Sequence, residues 1–110
     1  MAYNSAFSPW GPTYLVGTSS VQVKSNNNNY PTSYRVKNLL TTNAYLAWAP
    51  QEPQDASVTV PTPAAPTAGN PKNVLGLLPN SVEIFSGIPP NAWFLANAVG
   101  AFEITPGEGL

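Results

Sequence analysis

Proline restricts this chain more than any other residue. Thirteen of the 110 residues are Pro, and they are spread from Pro9 to Pro106. Proline blocks helix interiors and the middle of central strands, so it belongs in turns, edges and linkers. Eight glycines divide the chain further. This density argues against an all-α fold. What survives between the breaks is short and alternates apolar with polar residues, the pattern of a half-buried strand.

The clearest such segments are Tyr34–Leu40, Ser57–Val60, Val82–Phe85 and Phe102–Thr105. Val21 and Val23 share one face of an earlier strand. In the later strands, Val82 and Ile84 are expected inward with Glu83 and Phe85 outward. Phe102 and Ile104 are expected inward with Glu103 and Thr105 outward. Tyr34–Leu40 and Ala44–Ala49, separated by Thr41-Thr42-Asn43, read as a hairpin. Ala92–Ala98 fits either a short helix capped by Asn91 or a strand. The strand is preferred because Gly100 would then turn it into Ala101–Thr105 as a second hairpin. Asn26–Asn29 is a loop, 61–72 is a long Pro-, Ala- and Thr-rich loop, and Pro106–Leu110 is a flexible end. Seven or eight short strands predict an all-β, antiparallel β-sandwich, jelly-roll-like or, alternatively, immunoglobulin-like.

Residues 1–12 are set apart from this domain, which spans 13–110. Tyr3, Phe7 and Trp10 are large aromatics, while Pro9, Gly11 and Pro12 oppose regular structure. The expectation is an extended N-terminal arm that docks on a neighbouring subunit, since three aromatics are costly to leave in water; packing along its own domain, or fraying, is the alternative.

The chain has no His and no Cys, four Lys/Arg and five Asp/Glu. Disulfides, thiol catalysis and a Ser–His–Asp triad are therefore ruled out. Nucleic-acid binding is disfavoured by the shortage of cations: Lys24, Arg35, Lys37 and Lys72 are all there are. No apolar run approaches the ~20 residues of a membrane helix. Glu83 and Glu103 would resemble a catalytic carboxylate pair only if their strands were neighbours. Glu52 and Asp55 are too few for a calcium loop. No catalytic, cofactor-binding or metal residues are assigned. With 8% charged residues, against about 25% in ordinary soluble domains, a free surface would be poorly protected from self-association. The candidate protein–protein interface is therefore aromatic: Tyr3, Phe7 and Trp10 on the arm, and Phe85 and Phe94 on the sheet. Sugar binding by aromatic platforms is the alternative from a different class.

The stretches Tyr-Arg-Val-Lys-Asn-Leu-Leu (34–40) and Ala-Tyr-Leu-Ala-Trp-Ala-Pro (44–50) resemble small virion proteins of tailed bacteriophages. So does the ending, with Ser-Val-Glu-Ile-Phe (81–85), Pro-Pro-Asn-Ala-Trp-Phe (89–94) and Phe-Glu-Ile-Thr-Pro-Gly-Glu-Gly-Leu (102–110). Some of those proteins are similar to capsid decoration, or cement, proteins with jelly-roll-like sandwiches. The resemblance implies a structural role on the capsid exterior. It implies the major capsid protein as partner, self-association as a dimer or trimer, and synthesis in the host cytoplasm. A fibre receptor-binding module and a tail or head-completion component are the alternatives. The resemblance brings no catalytic residues with it.

Overall fold

The computed structural model describes residues 7–26, 30–49, 68–69 and 74–109. The expected strand Ser57–Val60, residues Glu52, Asp55 and Tyr3, Asn27–Asn29 and most of the 61–72 loop lie outside them. All nine regular elements among the described residues are strands: β1 (Phe7–Pro9), β2 (Tyr14–Val16), β3 (Val21–Gln22), β4 (Ser33–Asn38), β5 (Ala44–Ala49), β6 (Leu75–Leu77), β7 (Val82–Ser86), β8 (Trp93–Ala96) and β9 (Phe102–Gly109).

They form two antiparallel sheets. Sheet A runs β1-β9-β4-β7, with β2 also paired to β9, and sheet B runs β3-β8-β5-β6. The chain is therefore an all-β antiparallel sandwich, as the alternation predicted. Its wiring is nested. β5 pairs β6, β4 pairs β7, β3 pairs β8 and β2 pairs β9. The first half of the chain lies along the second half as one long hairpin, rolled so that alternate turns fall in opposite sheets.

Both expected hairpins are overturned by this wiring. β4 lies in sheet A and β5 in sheet B, and the same separates β9 from β8. The short links 39–43 and 97–101 are corners between sheets. Buried Asn38 fixes the first corner. Its Nδ2 shares two N–H donors among the carbonyls of Thr42, Leu77 and Leu78, at 3.0, 3.1 and 3.0 Å, and its Oδ1 accepts from Leu40 N at 2.9 Å. A polar residue that interrupts the apolar face of β4 thus ties the end of β4 to the end of β6 in the other sheet.

The core fills the space between the sheets. Val16, Tyr34, Val36, Phe102 and Ile104 from sheet A meet Leu46, Leu77, Phe94 and Ala96 from sheet B. Tyr34 and Phe94 make an edge-to-face contact with centroids 5.1 Å apart and planes at 72°, the arrangement ring quadrupoles favour. A second apolar cluster joins Ala47, Ala49 and Leu95 to Val74 and Trp93. Central strands β5 and β8 thus carry apolar residues on both faces, which is why period-two counting could not choose between them.

The C-terminal end is not a flexible tail. β9 continues through Pro106 to Gly109, paired with β4 on one side and with β2 and then β1 on the other. A proline in a central strand leaves a ladder donor missing. Here the carbonyl of Pro106 accepts from Trp10 N at 2.8 Å, in the break between β1 and β2. The missing N–H therefore falls where the partner strand is interrupted.

Candidate assembly surface

Directly opposed residues on antiparallel strands share a face. In sheet A the inner rows are Tyr14–Ile104–Val36–Glu83 and Pro106–Tyr34–Phe85. The outer rows follow by alternation. One is Leu15–Glu103–Lys37–Val82, running from β2 across β9 and β4 to β7. The next continues Thr105–Arg35–Ile84, with Thr13 joined to Thr105 through their hydroxyls at 2.7 Å. Leu15 is 62% exposed and Val82 44% exposed. The outer face thus presents large apolar side chains at both margins and opposite charges in the middle.

Of the five aromatics expected at an interface, Tyr3 lies outside the described residues. Phe7 is 8% exposed, and its strand is hydrogen-bonded to β9 of the same chain. Trp10 is half-buried, donating to Pro106 O while its own carbonyl accepts from Asn26 N at 2.9 Å. Residues 7–10 are therefore the edge of sheet A rather than a free arm. Phe94 is fully buried at 0%, against the expectation that it faced outward, because its rung partners Val21 and Trp48 both face the main core. Phe85 is half-buried and packs on the same core.

The phase of β7 is the reverse of the one expected. Phe85 pairs with Tyr34 and points inward, while Val82 and Ile84 pair with Lys37 and Arg35 and point outward. A one-residue shift of phase exchanges the whole set of side chains between faces. Here the larger aromatic area takes the inward side. Glu83 falls in phase with the core, but at the margin of an edge strand it reaches water. Inward-phase charges of this kind discourage edge-to-edge pairing. β4 separates β7 from β9, and Glu83 and Glu103 lie on opposite faces, so they form no carboxylate pair.

On this face, sequence reasoning missed exposed Leu15 and Val82 and half-buried Ile84; Tyr30, Leu78 and Val99 are exposed elsewhere among the described residues. The signal for β7 was present but ambiguous: Val-Glu-Ile-Phe alternates equally well in either phase. Leu15 belongs to a strand too short for its phase to be read.

A shallow pocket of about 200 Å³ lies in sheet B between Asn43, Tyr45, Gly76, Leu77 and Leu78. A Cβ at Gly76 would stand 3.0 Å from Tyr45 Cε1, so the Tyr45 ring already covers the bare backbone of β6. That use of an aromatic opposite a strand glycine is structural. Comparisons with protein-family models, curated proteins and solved structures gave no match.

Proposed function

We propose that this protein is a structural component of a virion, a capsid decoration or cement protein that binds the outer capsid surface and bridges capsomers. The observation that carries this reading is the outer face of sheet A. A four-strand face with exposed Leu15 and Val82 at its margins and the opposite charges of Glu103 and Lys37 between them offers another protein both apolar and charged contacts. Low overall charge fits a molecule whose surface is covered in its working state. The nested pairing of β2–β9, β3–β8, β4–β7 and β5–β6 supports jelly-roll winding over the immunoglobulin-like alternative, as the resemblance to decoration proteins implied. The stretches that carry that resemblance are strands β4, β5, β7, β8 and β9 with their links, so it rests on the scaffold.

Mixing the protein with undecorated capsids and pelleting the particles tests the proposal. It is expected in the pellet at hundreds of copies per particle, and Leu15→Asp should move it to the supernatant. Wild-type protein that stays in the supernatant overturns the reading, and recovery at six or twelve copies assigns it to a connector or tail ring instead.

A further inference from the structure

The outer row of sheet A has a symmetry of its own. Across β2, β9, β4 and β7 it reads apolar, negative, positive, apolar: Leu15, Glu103, Lys37, Val82. Consider a two-fold axis parallel to the strands, lying in the plane of contact and passing between β9 and β4. That operation reverses the row. Leu15 of one copy then covers Val82 of the other, and Glu103 covers Lys37, twice over. In the neighbouring row the same operation sets Ile84 over Thr13, while Thr105 is buried in its own chain with its hydroxyl bonded to that of Thr13.

We infer that the protein forms a two-fold dimer through the outer faces of sheet A, with reciprocal Glu103–Lys37 pairs at the centre and Leu15–Val82 contacts at the margins. This rests on the self-association part of the proposed function and gives the outer face of sheet A to a second copy in the free protein, so capsid and second copy compete for it. The dimer is tested on purified protein without capsids, where its failure leaves the capsid-binding reading standing. An isologous contact requires a patch complementary to its own rotated image, and the order apolar, negative, positive, apolar meets that requirement. Faces of two sheets pack with their strands nearly aligned, which an axis parallel to the strands provides. The row spans three strand spacings, about 14 Å. The contact therefore sits at the small end of specific interfaces, and association is expected at about micromolar concentrations or above.

Charge variants give the test. Sedimentation velocity of the wild-type protein across about 1–500 µM should show a monomer–dimer equilibrium. Lys37→Glu and Glu103→Lys should each weaken dimerisation at least ~10-fold, because each sets like charges against each other across the axis. Mixing the two variants should restore it. In the mixed pair, each introduced charge faces an opposite charge on the other copy, and native mass spectrometry should show one copy of each variant per dimer. Circular dichroism on each variant separates loss of contact from loss of fold, and Leu15→Asp gives a second route to the same monomer that leaves the central charges in place. A wild-type protein that is monomeric at every concentration, single variants as dimeric as wild type, or variants that remain monomeric when mixed would each overturn the inference.

Discussion

Tyr34 shows how much of this fold depends on single polar atoms in an apolar place. Its ring fills the core, while its hydroxyl donates to Pro89 O at 2.8 Å and accepts from Ala92 N at 3.1 Å. One phenol thus holds both ends of the loop that carries Asn91, a non-glycine residue at φ 53°. Asn91 is steadied from the other side by Ser25 N, which donates to its Oδ1 at 3.2 Å, and by Gln22 Nε2, which donates to its carbonyl at 3.0 Å. Burial pushes the Tyr34 phenol up to about 12, against some lowering by the backbone groups of Ala92 and Asn91. The unfolded chain ionises it near 10. The folded state therefore holds the proton more tightly, and that contribution is fully present below pH 10. It fades as pH rises from 10 to about 12, by about 2–3 kcal/mol in all. Tyr34→Phe should lose about 1–3 kcal/mol at pH 8, because Ala92 N is left without its acceptor. Urea titrations of both proteins should show that gap narrowing between pH 10 and 12. A gap that stays constant would mean that the hydroxyl titrates as freely in the fold as outside it.

Among the elements, β9 organises the molecule, and its last four residues are where sequence reasoning failed most. Phe102 to Thr105 was legible because alternation and β-propensity agree there. Pro106-Gly-Glu-Gly was not legible, because its strand conformation is imposed by neighbours: β4 on one side and β1 on the other. The same neighbours explain β1. Phe7, Ser8 and Pro9 have little tendency to form a strand alone, yet they find an open edge beside Gly107. That glycine is required by the close approach. A Cβ there would run into the Ser8 carbonyl oxygen and the Phe7 ring, both nearer than atoms can come. Gly107→Ala should therefore dislodge β1 and cost about 1–3 kcal/mol. Removing residues 1–12 should also lower the melting temperature, since it strips an edge strand and the buried Phe7 ring, worth about 2 kcal/mol. The two changes should be far from additive, because both delete the same contact. Equal melting of wild type and Gly107→Ala would show that β1 contributes nothing to the folded state. The strand identities and the inward phase of β4 and β9 were readable from single segments. The phase of β7 and the partners of β4 and β8 were not, because they depend on which sheet each corner leads into.

At the scale of the whole molecule, the nested winding makes every ladder between the two halves of the chain a long-range one. Among the described residues the innermost pair, β5 with β6, already spans the stretch between Ala49 and Leu75, and the outermost of the nested pairs, β2 with β9, spans Val16 to Phe102. Such topologies fold slowly, in about milliseconds to seconds. They also have a preferred order. Closing the outermost pair first costs about 1 kcal/mol more in loop entropy than closing the innermost one first. Once β5 and β6 meet, β4 and β7 are held close by the short links 39–43 and 78–81, and each later pair closes at little further cost. Stability and folding rate should therefore separate along the nest. Leu77, buried on β6, and Val16, buried on β2, are comparable probes, since trimming either to Ala costs more than the ~0.6 kcal/mol needed for a usable kinetic ratio. Leu77→Ala should slow refolding, with φ above about 0.5. Val16→Ala should leave refolding nearly unchanged and accelerate unfolding, with φ below about 0.3. Stopped-flow chevrons of the two variants measure both quantities. A high φ at Val16 with a low one at Leu77 would mean that the roll closes from its open end, against the loop entropies.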